Sequence, residues 1–196
     1  ATSITTADLV SGVRGTGILF DGANDKLSRT SDSDFSFGTG NFSASLWLKS
    51  TSATNPAAAE IPLSIVTTTS AADRFRPDFG TDGYLNLYMS TDSGSTADSI
   101  NLTTDLYDAQ WHYLVMQKNN ANWELWVDGD LSGSTAVVNA TTIDATAVYI
   151  GSWYGGDTND YAGIVDEPMI TAEALTPAQI KYMYETGKRS LEQKSL

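Results

Sequence analysis

Asp166 and Glu167 stand side by side in an apolar run, Gly163-Ile164-Val165-Asp166-Glu167-Pro168-Met169-Ile170. Two carboxylates here could be an acid–base pair, ligands for a hard cation, or acceptors for backbone N–H groups. A charge buried without such a partner is costly, so each needs one. If the run is a β-strand, neighbouring side chains point to opposite faces, and the two cannot act as one acid–base pair. Other catalytic chemistry is thin. His112 is the only histidine, and no nucleophile-elbow motif exists to complete a Ser–His–Asp relay through it. The absence of cysteine removes thiolate catalysis and Cys-ligated zinc. The residues predict a protein that binds, not an enzyme.

A second constellation is the loop Ser152 to Tyr161, Ser-Trp-Tyr-Gly-Gly-Asp-Thr-Asn-Asp-Tyr. Aromatic rings can pack on the apolar face of a sugar while Asp and Asn bind its hydroxyls. Trp153, Tyr154, Asp157, Asn159 and Asp160 are therefore the candidate ligand-binding residues. The competing reading is an ordinary polar loop whose aromatics tuck into the core. Asp21 and Asp25, in Asp21-Gly22-Ala23-Asn24-Asp25, form a third group with the chemistry of a capped turn.

These residues need a scaffold, and the hydrophobic period supplies it. Phe42, Ala44, Leu46 and Leu48 alternate with Ser43, Ser45, Trp47 and Lys49, a strand with one buried face. Tyr84 to Met89 alternates in the same way. Trp111 to Lys118 is apolar on both faces, as a central strand is. Asn119-Asn120 turns it back into Trp123 to Val127, and Asp128-Gly129 makes the next tight turn. Pro77 between Phe75 and Phe79 predicts an irregular segment. One helix start is clear: Thr176 as N-cap, Pro177 in the first turn, Gln179 completing a capping box. Ile180, Met183 and Tyr184 share one face, and Gly187 predicts the stop. The helix is expected on the rim of a sandwich. About a dozen short strands and one helix predict an all-β, two-sheet antiparallel jelly-roll sandwich with one short C-terminal helix. The expected boundaries are an arm or short edge strand over 1–14, the domain over 15–187 and a charged, frayed tail over 188–196.

Bulk properties narrow the partners. Over 196 residues the formal net charge is −13. Without a basic patch to release phosphate counterions, nucleic acid is excluded, as is an anionic membrane surface. No apolar run is long enough to span a bilayer, and residues 1–6 lack the charged and apolar regions of a signal peptide.

Four motifs in order carry a family resemblance: Gly17 to Asp25, Asn41 to Lys49, Trp111-His112-Tyr113 with Leu125 to Gly129, and Ile150-Gly151 with Tyr161 to Glu167 leading into Ala174-Leu175-Thr176. Together they resemble the laminin G-like, concanavalin A-like jelly-roll domains over residues 14–185. The resemblance implies a glycan- or protein-binding sandwich, often calcium-stabilised and usually without catalysis. It makes the first and last strands neighbours. Asp21, Asp25 and Asp166 would then converge on a structural Ca²⁺, the alternative being that they only bond backbone N–H groups. Pentraxin relatives use the loop corresponding to 152–161 for calcium and ligand. The glucanases of this fold carry Glu-x-Asp-x-x-Glu on one strand. Here Ile164 stands in the first Glu position, which speaks against hydrolysis. Pro168 interrupts the last strand and predicts an edge or a bulge.

Two functions follow as expectations. The first is a non-catalytic carbohydrate-binding or adhesion module, a lectin-like domain with calcium, of an extracellular or cell-surface protein, its partner a glycan or surface protein. The second is a decoration or fibre protein of a virus particle, working through protein contacts as a homo-oligomer. Sugar binding by a monomer would favour the first; a trimer or array would favour the second.

Overall fold

The computed structural model describes residues 4–67, 74–91, 97–154 and 159–195. In chain order the strands are β1 (Leu9–Ser11), β2 (Thr16–Asp21), β3 (Leu27–Thr30), β4 (Ser36–Gly38), β5 (Phe42–Ser50), β6 (Leu63–Val66), β7 (Arg74–Phe79) and β8 (Tyr84–Ser90). They continue with β9 (Ala97–Asp105), β10 (His112–Asn119), β11 (Asn122–Val127), β12 (Asp130–Ala136), β13 (Ile143–Asp144), β14 (Ala147–Ile150) and β15 (Ala162–Thr171). Helix α1 spans Pro177–Lys194. A seven-stranded sheet runs β1-β2-β15-β5-β10-β11-β12, a six-stranded sheet runs β3-β14-β6-β7-β8-β9, and β13 pairs with β4 apart from both. All ladder pairings are antiparallel. This is the two-sheet sandwich that the alternation predicts.

Between the sheets lies the main core. Phe42, Leu46 and Leu48 of β5 meet Phe75, Phe79, Leu85, Leu87 and Met89 of the facing sheet, with Trp123 fully buried among them. The alternation that buries these side chains turns their neighbours outward.

Helix α1 departs from expectation in place and in length. It crosses the outer face of the seven-stranded sheet and builds a second core there. Ile180 packs with Val13, Trp47, Tyr113, Val115 and Trp126, which explains why these strands are apolar on both faces. Gly187 does not stop the helix. It is buried at a point where a Cβ would overlap the Trp47 indole. The helix therefore runs on through the residues expected to fray. Ser190 Oγ donates to the Val13 carbonyl at 2.7 Å and Lys194 Nζ to that of Gly12 at 2.5 Å. Those bonds fasten the β1–β2 hairpin, so of the two readings of 1–14 residues 9–14 take the short edge strand, followed by a turn. The N-cap is as predicted: Gln179 N donates to Thr176 Oγ1 (3.3 Å) while Thr176 N donates to Gln179 Oε1 (2.8 Å).

Pro77 lies inside β7, where irregular chain was expected. The β6–β7 ladder extends only over Phe75 and Arg74, so the missing proline N–H interrupts no pairing on that side.

Candidate functional site

Two surfaces have the chemistry to bind a ligand, one on each outer face of the sandwich. On the six-stranded sheet, the residues alternating with the core point out in register across β7, β8 and β9. One row is Arg76, Tyr88 and Ser99; the next is Asp78, Asn86 and Asn101. At their border lie Trp153 and Tyr154, which follow β14 and cap a small third cluster of Val66, Ala147 and Tyr149. The Arg76 guanidinium sits 4.2 Å from the Trp153 ring centre and 5.6 Å from that of Tyr88. Arg74 approaches Trp153 at 5.7 Å. Arg76 Nη2 pairs with Asp78 Oδ2 at 3.2 Å, and both side chains are 12% exposed. Burial pushes the Asp78 carboxyl up, against the pull of the Arg76 charge. Arg76 Nε, Asp78 Oδ1 and Trp153 Nε1 are buried with no hydrogen-bond partner among the described residues. Three unmet polar atoms around one aromatic–guanidinium stack are unusual, because such atoms are normally paired with protein, water or ligand.

The second surface is a cleft of about 590 Å³ between α1 and the seven-stranded sheet. It is lined by Arg14, Trp47, Tyr113, Asp166 to Met169, Tyr182 and Met183. Asp166 is buried. Its Oδ2 accepts the Arg14 N–H and its Oδ1 the Glu167 N–H, both at 2.9 Å. Glu167 lies in the left-handed region (φ 50°), at a bulge where Glu167 and Pro168 together oppose Leu46. The interruption predicted from Pro168 is thus a bulge, and it breaks the alternation that was to separate the two carboxylates. Both line one cleft. The sequence points to these residues, but the helix that makes the opposite wall was expected elsewhere.

The three carboxylates expected to share a cation do not meet. Ala162 of β15 pairs with Asp21, and Asp166 lies four residues further along, about 13 Å away at the rise of a strand. Asp21 Oδ1 caps its own turn, accepting from Ala23 N at 2.9 Å. Asp25 is buried, and burial, then the Asp21 and Asp8 charges, push its carboxyl up. Asp166 serves two N–H groups. The donor set does not fit calcium, and among the described residues no group of three or more His, Cys, Asp or Glu is arranged to hold a metal ion.

The loop candidates also divide. Trp153 and Tyr154 lie over the six-stranded sheet. Asn159 and Asp160 lie against the chain at 59–61: the Asn159 carbonyl accepts Ile61 N (3.0 Å), its Nδ2 donates to the Ala59 carbonyl (2.9 Å), and the Asp160 backbone bridges to Ile61. Asp157 lies outside the described residues. His112 faces Asp128 Oδ2 through Nδ1 (2.8 Å) and Asp108 Oδ1 through Nε2 (3.2 Å). With a carboxylate on each ring nitrogen, neither is left for a serine nucleophile.

The two-sheet jelly roll is an architecture that lectin domains share with viral capsid domains and cupins. The chain belongs to the concanavalin A-like lectin/glucanases superfamily, whose family model matches residues 21–181. No curated protein matches it by sequence. Among solved structures it is similar to the ligand-binding domain of botulinum neurotoxin serotype D in complex with N-acetylneuraminic acid, with 16% identity and a TM-score of 0.66. That alignment covers 83% of this chain and 40% of the other, so the chain spans less than half the length of the toxin domain. A heptameric SAP-like pentraxin from Limulus polyphemus aligns at 17% identity and TM-score 0.65, covering 89% and 84% of the two chains. The CBM40 of a Ruminococcus gnavus sialidase, bound to α2,3-sialyllactose, aligns at 13% identity and TM-score 0.62, covering 76% and 84%. At these identities the likeness is one of fold.

Proposed function

We propose that the chain is a non-catalytic glycan-binding module of an extracellular or surface protein, and that the outer face of the six-stranded sheet is its contact surface. The observation that carries this reading is the set of unmet polar atoms Arg76 Nε, Asp78 Oδ1 and Trp153 Nε1 beside the rows Arg76–Tyr88–Ser99 and Asp78–Asn86–Asn101. Two donors and an acceptor suit hydroxyl groups, each of which both gives and takes a hydrogen bond. Tyr88 and Trp153 supply ring faces for the C–H side of a sugar. Neighbouring strands are spaced by about 4.8 Å, close to the rise of one sugar ring, so an extended chain lying across β7, β8 and β9 meets a fresh polar group at each step. The reading fits the glycans held by the solved relatives, and the engagement of both His112 nitrogens supports the non-catalytic half of it.

A glycan array, followed by calorimetry on the hits, tests the reading. Trp153→Ala and Asn86→Ala are expected to weaken binding about tenfold each, the scale of one lost stacking or hydrogen-bonding group in a polar site. No array hit, or hits indifferent to both substitutions, would refute it.

A further inference from the structure

We infer that the cleft beneath α1 is a second saccharide site, and that one copy of this protein therefore cross-links glycans. The ligand class rests on the reading of the domain as a glycan binder; the site itself rests on separate residues. At about 590 Å³ the cleft has the size of a small-ligand pocket. It is walled, unlike the open sheet face: Tyr182 and Met183 of α1 stand on one side, Pro168 and Met169 of β15 on the other, over a floor of Trp47 and Tyr113.

The polar groups match hydroxyls. Arg14 and Glu167 both line the cleft, and neither side chain makes a hydrogen bond or salt bridge among the described residues. A guanidinium donor and a carboxylate acceptor lining one cleft suit hydroxyls, one accepting and another donating. Asp166 does not compete for the ligand, because its oxygens already hold the Arg14 and Glu167 N–H groups. It sets the positions of the two residues that do the binding. Tyr182, 68% exposed, lines the cleft and offers a ring face to a ligand there.

The placement gives the consequence. The cleft opens on the outer face of the seven-stranded sheet and the Trp153 surface on the outer face of the six-stranded sheet. With sheets packed about 10 Å apart and a side-chain layer on each side, the sites lie about 20 Å apart and face away from each other. A single glycan does not bend around the sandwich to fill both, so two sites per chain engage two glycans and add avidity on a multivalent surface.

The experiment uses the full chain, with its oligomeric state fixed by light scattering. The probes are the methyl pyranosides of glucose, galactose and mannose in calorimetry and amide-shift titration, and serum albumin bearing the same sugars in a turbidity assay. Glu167→Gln and Tyr182→Ser alter exposed groups and leave the fold intact, which circular dichroism checks. The expected result is two equivalents bound per wild-type chain, shifts at Arg14, Glu167 and Met183, and turbidity with the matching glycoprotein. Either substitution should weaken one class of site at least about tenfold and abolish turbidity, while Trp153→Ala removes only the other class. One equivalent per chain, lost with Trp153→Ala alone, overturns this inference and leaves the proposed function standing. One equivalent lost with Glu167→Gln alone overturns cross-linking and the sheet-face site together. No binding by any of the three sugars overturns the saccharide assignment of the cleft, and only an empty array also removes the proposed function.

Discussion

Asp98→Asn should be among the most damaging single-atom changes available in this fold. Asp98 is 6% exposed. Its carboxylate accepts the Trp123 indole N–H at 3.1 Å, the backbone N–H groups of Val138, Asn139 and Ala140 at 3.0 Å, and Asn139 Nδ2 at 3.1 Å. It thereby ties β9 to β11 and to the chain leaving β12. An amide keeps one acceptor oxygen and turns an N–H₂ toward the remaining donors. At about 1.5–3 kcal/mol for a hydrogen bond to a charged group, losing two of them costs about 3–6 kcal/mol. For a chain of this size that lowers Tm by about 10 °C. Burial opposes ionisation of Asp98, but the N–H groups of Asn139, Val138 and Ala140 and the Trp123 indole outweigh it and hold the pKa below 3.8. A depressed carboxyl stabilises the fold above its unfolded pKa and loses that contribution as pH falls through the folded one. The wild type should therefore lose stability below about pH 4, and the variant should lack that part of the decline. Urea denaturation between pH 2 and pH 7 measures both. A difference under about 1 kcal/mol at pH 7, or parallel acid limbs, would refute the reasoning.

Two further predictions concern the elements around the α1 cleft. Burial opposes protonation of His112, but Asp128 and Asp108 outweigh it and raise the pKa above 6.5. A raised histidine stabilises the fold fully below its unfolded pKa and loses that contribution as pH rises through the folded one. Tm should fall from about pH 6.5 upward, and His112→Gln should flatten that slope by about 1 kcal/mol, modest because Asp108 is 41% exposed. A thermal-shift series from pH 5 to pH 9 reads this. Gly187→Val pushes two methyl groups into the Trp47 indole and should cost about 1–3 kcal/mol, with loss of the near-ultraviolet signal of the Trp47–Tyr113–Tyr184 cluster. A variant as stable as wild type with that signal intact would contradict the packing described for α1.

The sandwich is legible in the sequence because a face packed on the core forces a period of two, as β8 shows; β5 keeps that period on its inner face, while Trp47 on its outer face is buried under α1. The capping box Thr176–Gln179 is equally local and equally legible. What failed needs long-range information. Gly187 reads as a helix stop by its own chemistry, yet it is retained mid-helix because Trp47, 140 positions earlier, leaves no room for a Cβ. Asp21 and Asp166 were expected to converge because their strands are neighbours, which they are. Register decides the distance, and single-sequence patterning does not fix the register between strands so far apart in the chain. Trp153 was singled out from composition, but Arg76, which meets it, and Asp78, which pairs with Arg76, lie in a segment whose Pro77 read as irregular.

The bulge in β15 resolves the difficulty posed by two adjacent carboxylates in an apolar strand. Val165 pairs with Leu48 and faces the core between the sheets; Asp166 pairs with Trp47 and faces out. Strict alternation would set Glu167 opposite Leu46, pointing into the main core, where an unpaired charge is prohibitive. Pro168 can give no ladder N–H, and the left-handed backbone at Glu167 inserts the extra residue at a cost of about 1 kcal/mol. Register resumes one residue late, with Met169 opposite Ser45 on the outer face and Ile170 opposite Ala44 on the inner face. The inserted residue thus moves one carboxylate from the core to the surface and leaves the rest of the strand in phase. It also sets Glu167 beside Asp166 and Arg14 at the cleft under α1, a placement that neither a regular strand nor a loop would give.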